Sequence, residues 1–128
     1  MDLKILSETY CVMKLPSEQA IPDWALADKE FFSITGTPEE LSIVCSQKLV
    51  PSEVTDIVVE SDWRCIKVEG QLDFSLTGIL SSLANPLAQN KVSIFAISTF
   101  NTDYLLVKQA VLEKTVHVLQ QEGHNFLP

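Results

Sequence analysis

The stretch Glu69 to Val107, EGQLDFSLTGILSSLANPLAQNKVSIFAISTFNTDYLLV, decides how this chain folds. It reads as a strand end, a glycine-containing loop, a helix, a buried strand, a polar loop and another strand. Ile79, Leu80, Leu83, Ala84 and Leu87 follow helical spacing and give one apolar face. Thr77 or Ser75 is a candidate N-cap. Pro86 lacks an N–H, so the regular helix is expected to stop near Ala84 or Asn85. Val92 to Ile97 (VSIFAI) is apolar on both faces, the pattern of a strand in the sheet centre. After a polar loop from Ser98 to Asp103, Tyr104 to Val107 returns as its antiparallel neighbour.

Outward from this stretch, Trp63 to Glu69 (WRCIKVE) alternates as a strand should. On the other side, a helix is expected from about Gln109 to Gln121. It carries a stripe of Leu112, Thr115, Val116 and Leu119, with Gly123 as its C-terminal cap. Asn125 to Leu127 makes a short last strand. Residues 63 to 127 therefore follow the βαββαβ order of a ferredoxin-like sandwich, an α+β fold. The first half opens the same order loosely. Leu3 to Leu15 is a strand with Leu3, Ile5, Tyr10 and Val12 as its apolar set, and PDWALA forms a short helical turn whose Trp24 plugs one end of the core. Phe31 to Thr35 and Leu41 to Ser46 form a hairpin across Gly36 to Glu40, where Gly36 can take positive φ. Lys48 to Ser61 reads either as a helical turn from Pro51 or as a strand through Ile57, Val58 and Val59. The expectation is a tandem arrangement, with a degenerate N-terminal unit over residues 1–60 and a complete C-terminal unit over 61–128.

Composition narrows the function classes. With 46% hydrophobic and 20% charged residues in 128, there is material for a folded core. No apolar run approaches the ~20 residues of a membrane span, and MDLKIL has no basic region leading into an apolar signal core. A soluble, cytoplasmic protein without membrane contact is expected. Nine basic against 17 acidic residues give a net charge of −8 without a basic run, a surface that repels phosphate backbones, so nucleic acid is not expected as a partner. Cys11, Cys45 and Cys65 sit in apolar contexts without a CxxC pair, which favours reduced buried thiols over disulfides or zinc. The histidines form no HxxxH or HExxH pattern, so no metal is expected, and the four glycines form neither GxGxxG nor GxxxxGK, so no nucleotide cofactor is expected.

The motifs DFSLTGIL and ISTFNTDYLLVK, within a match running from about Glu40 to Gly123, closely resemble the ACT-domain family. The resemblance is greatest to small tandem-ACT proteins related to the ACT domains of aspartate kinases and of the animal cytosolic arginine sensor. It implies a non-catalytic regulatory protein that binds a small molecule, most often an amino acid, at an interface between paired ACT units. There, the loop after the first strand meets the loop after the second. Carried onto this chain, the loops are Asp73 to Ile79 and Ser98 to Asp103. The last strand is a stub and the first unit looks incomplete, so a second chain, in a homodimer, is expected to complete the site. No output domain is visible, so a separate regulated partner protein is implied.

The chemistry expected of such a site is a pair of clamps. Free amides of Gly78, Ile79 and Leu80 at a helix start hold a carboxylate. Asp103, Ser98 Oγ and carbonyls of the loop containing Thr99 receive an ammonium, in charge-assisted bonds of roughly 1.5–3 kcal/mol each. Phe74, Leu76 and Phe100 shape the side-chain pocket, and Thr77 opens the helix. Structural roles stand beside each of these: Gly78 for close helix packing, Thr77 as a cap, and Asp103 as a turn residue. Two other classes compete. Ser98, Asp103 and His117 or His124 supply the residue types of a catalytic triad, but no GxSxG surrounds the serine. An interaction module that dimerises by covering a sheet edge, without a ligand, is the alternative to sensing.

Overall fold

The computed structural model describes residues 1–54, 57–70 and 78–128. Among these, the strands are β1 (Asp2–Leu15), β2 (Ser33–Gly36), β3 (Leu41–Ser46), β4 (Val58–Val68), β5 (Phe95–Ser98), β6 (Asp103–Lys108) and β7 (Asn125–Phe126). The helices are α1 (Ile79–Gln89) and α2 (Leu112–Gln121), with 3-10 turns at Asp23–Leu26, Gln47–Leu49 and Gln109–Val111. The fold is α+β and ferredoxin-like. It resolves into two compact units, Met1–Ser7 with Arg64–Pro128, and Glu8–Trp63, so β1 and β4 contribute residues to both.

The C-terminal unit has the strand order β7-β1-β4-β6-β5. Phe95 to Ser98 of β5 lie antiparallel to Leu106 to Asp103 of β6, and β7 runs parallel to the first residues of β1. Its core joins Leu3, Ile66, Val68, Leu105 and Val107 from the strands to Leu83, Leu87, Val118 and Leu119 from the two helices. Complete burial of a leucine or valine stabilises by about 1.5–3 kcal/mol, so this aliphatic layer holds the helices on the sheet.

The Glu8–Trp63 unit has the order β2-β3-β1-β4. Its core is Cys11, Met13 and Leu15 of β1, Leu41, Ile43 and Cys45 of β3, and Ala25 of the first 3-10 turn, with Trp24 packed against it. Tyr10 is also buried, donating to Glu30 Oε1 at 3.2 Å, but Val12 is only half-buried, so the expected Tyr10 and Val12 set is not the one that builds this core. Gly36 ends β2 without positive φ. The turn is made instead by Thr37, whose Oγ1 accepts from the N–H groups of Glu39 and Glu40 at 3.2 and 3.1 Å. An ST-type turn needs no left-handed residue.

Two further expectations are corrected. Val92 to Ile97 is not a central strand. Strand β5 begins at Phe95 and lies at the sheet edge, while Val92 donates to Leu87 O at 2.9 Å and packs its side chain into the core. The two-sided apolarity belongs to a buried helix exit joined to a short strand. Helix α1 also does not stop before Pro86 but runs on to Gln89. A proline inside a helix strips the carbonyl four residues back of its donor, at a cost of ~3 kcal/mol or more. That carbonyl belongs to Ser82, and it lies 3.3 Å from His124 Nε2. A ring N–H from beyond α2 thus replaces the amide that proline lacks.

His124 is placed there by the end of α2. Gly123, at φ +92, lets the chain reverse, with His124 N–H on Leu119 O and Gly123 N–H on Gln120 O, both at 3.0 Å. This is the Schellman arrangement that a C-terminal glycine permits. The buried stripe of α2 is Thr115, Val118 and Leu119, with Val116 only half-buried. Thr115 satisfies its hydroxyl on Val111 O at 2.8 Å.

Candidate functional site

The β5–β6 hairpin brings two of the expected residues into direct contact. Ser98 and Asp103 are register partners, and Ser98 Oγ donates to Asp103 Oδ1 at 2.6 Å. Between them the backbone closes through Thr99 N–H to Thr102 O at 2.9 Å, reinforced by Thr99 Oγ1 on the same carbonyl at 3.1 Å. Phe100, at the tip, is 73% exposed.

One residue that the motif reading passed over anchors this loop. Thr102 is buried, and its Oγ1 donates to Val68 O at 2.7 Å. The hairpin tip is thereby tied to the last residue of β4, the strand from which the chain leads on towards Gly78 and α1. The signal for Thr102 was a threonine in an otherwise exposed polar loop; only burial separates it from Thr99. Nearby, Glu69 N–H donates to Asp2 O at 2.9 Å and Lys67 Nζ lies 3.6 Å from Glu69 Oε1, so Glu69 serves the strand end.

At the start of α1, Gly78 is the N-cap residue and holds a left-handed conformation, φ +77 and ψ +2, with no side-chain cap on the first turn among the described residues. Among the described residues, a Cβ placed on Gly78 would meet only Ser81 Oγ, at 3.7 Å. The left-handed backbone by itself calls for glycine here. Gly78 O accepts from Ser82 N–H at 2.9 Å and from Ser81 Oγ at 3.1 Å, while Ile79 follows, half-buried. The cap expected of Thr77 or Ser75 lies outside the described residues, as do Phe74 and Leu76.

The proposed triad does not assemble around Ser98. Its hydroxyl proton goes to a carboxylate, His124 has its ring nitrogens against Ser82 O and, at 3.2 Å, the Met1 amine, and His117 is exposed on α2. Chemically, the hairpin offers the second oxygen of Asp103 and the lone pairs of Ser98 as adjacent acceptors, a set suited to a cationic N–H donor. No group of metal-ligating side chains lies together among the described residues, and no helix there is long and apolar enough to cross a membrane.

A ferredoxin-like unit with a short polar hairpin and a glycine-opened helix defines the class. The chain belongs to the ACT-domain family, whose model matches residues 58–121. A second model, described as an N-terminal domain, matches residues 8–53. Among relatives, the human cytosolic arginine sensor for mTORC1 subunit 1 is 33% identical over 102 residues, covering 73% of this chain and 31% of the sensor. The chain thus spans about a third of the length of that curated relative. An X-ray crystal structure of a protein from Agobacterium tumefaciens is 43% identical and superposes with a TM-score of 0.89, over 98% of this chain and 91% of that one. The aspartate kinase of Clostridium acetobutylicum shares the fold, with a TM-score of 0.66 at 10% identity over 91% of this chain and 33% of the enzyme.

Proposed function

We propose that this is a non-catalytic regulatory protein that binds an amino acid at its C-terminal ACT unit and signals to a separate protein in the cytoplasm. A second copy completes the site at an ACT–ACT interface. The observation that carries this reading is the Ser98–Asp103 acceptor pair, held in place by Thr102 on the end of β4. Those acceptors take the ligand's ammonium, and the first turn of α1, opened by Gly78, offers amides to its carboxylate. The name of the arginine sensor supports an amino acid as the ligand class.

The test is a thermal-shift panel of the amino acids, with and without Asp103→Ala. A ligand at 100 times its Kd adds about 2.7 kcal/mol, several degrees in a domain of this size. The shift should vanish in Asp103→Ala and persist in Gly78→Asn, since asparagine tolerates the left-handed conformation that Gly78→Val would strain by about 1–3 kcal/mol. If no amino acid raises the midpoint at millimolar concentration, sensing fails. The position of β5 at the end of the strand order then favours a module that dimerises without a ligand.

A further inference from the structure

Cys11 and Cys45 have no part in the proposed ligand site, yet β1 and β3 set them directly opposite one another, Cys11 to Cys45, in the antiparallel ladder. Facing residues of such a ladder point to the same side of the sheet. Their Cα atoms are separated by about 4.5–5.5 Å, inside the roughly 4.4–6.8 Å that a disulfide spans. Both are fully buried thiols, and Cys11 Sγ lies 3.7 Å from Cys45 O. We infer that Cys11 and Cys45 are a dithiol that hydroperoxides convert reversibly to a disulfide, cross-linking β1 to β3 in the Glu8–Trp63 unit.

The two thiols are unequal, which assigns their roles. Hydrogen bonding with Cys45 pulls Cys11 below the ordinary thiol value. The same bond, together with burial, pushes Cys45 above it. Cys11 is thus the nucleophile and Cys45 the resolving thiol. In the first step the Cys11 sulfur attacks one oxygen of the hydroperoxide, the O–O bond breaks, and Cys11 becomes a sulfenic acid as water or an alcohol leaves with the thiol proton. In the second, the Cys45 sulfur attacks Cys11 Sγ, the S–O bond breaks, and its oxygen leaves as water with the proton of Cys45. Two thiols are oxidised and one peroxide is reduced.

Access comes through the lid of this core. Ala25 and Trp24, which close over the cluster, sit on a four-residue 3-10 turn without a side-chain cap, following an exposed stretch from Pro16 to Ile21. Elements with so few buried contacts open at low free energy, and a small neutral peroxide needs no more.

The experiment treats the full chain with hydrogen peroxide and counts maleimide-reactive thiols after denaturation, with peptide mapping of the product. The count should fall from three to one, with Cys65 the survivor, Cys11 and Cys45 peptides linked, and all three thiols restored by dithiothreitol. In Cys45→Ser, dimedone should trap a sulfenic acid at Cys11. Three persisting thiols, a first product at Cys65, or a different linked pair in the wild-type protein each overturn the assignment, even if the variant does not fold.

Discussion

The two units follow one order of elements and differ in what fills the connections between strands. In the C-terminal unit the connections are helices of 11 and 10 residues, α1 and α2. In the Glu8–Trp63 unit they contain 3-10 turns of four and three residues. The lesson concerns chemistry as much as packing. A full helix brings a stripe of leucines to the sheet and presents free amides and partial positive charge at its start. A single 3-10 turn can cover a few core residues with Ala25 and Trp24 but offers no comparable anion clamp. The sequence reason is local: Pro16, Pro22 and Pro51 punctuate the N-terminal connections, whereas residues 79–89 keep an apolar stripe long enough to bury.

The largest expected effect tests whether the helices carry the stability. Leu119→Ala, at a fully buried position of α2, should cost about 2–5 kcal/mol in denaturant unfolding, while Leu26→Ala, 41% exposed on the first 3-10 turn, should stay within about 0.5 kcal/mol. Equal costs would erase the contrast between the units.

A smaller effect concerns how α1 survives its proline. His124→Ala should cost roughly 0.5–1.5 kcal/mol, because Ser82 O loses its ring donor. In a Pro86→Ala background the restored helix amide takes that carbonyl, and the cost should disappear. A double-mutant cycle with zero coupling would refute the replacement.

The smallest effect lies in the other unit, at Glu8. Its carboxyl is held below the ordinary value by hydrogen bonds first from Lys48 (2.9 Å) and then from Ser46 (2.8 Å). With the folded value below the unfolded one, the contribution is present above the unfolded value and is lost as pH falls through the folded one. Lys48→Met should therefore flatten the acid limb of the stability curve slightly, and an unchanged limb would show that the exposed pair contributes nothing.

Much of this was legible in the chain. Period-two and helical patterns located β1, β3, β4, β6 and α2, and DFSLTGIL with ISTFNTDYLLVK pointed to the family and to Ser98 and Asp103. The misses share a cause, which is that each depended on a partner distant in sequence. Pro86 signals a helix stop unless a donor 38 positions later takes over from the missing amide. Val92 and Ile94 look like a strand interior because burial, not alternation, makes them apolar. Thr102 looks like one more loop threonine until Val68 O appears beneath it.

By itself, the sequence determined the α+β class, the acidic surface, the glycine at the start of α1 and the acceptor types in the hairpin, because composition, periodicity and a left-handed backbone are local properties. Only the tertiary structure decided that Ser98 donates to Asp103, that Thr102 pins their loop, that His124 completes α1 and that Cys11 faces Cys45. Those depend on strand register and on side chains meeting across dozens of residues, and no local propensity encodes such distances.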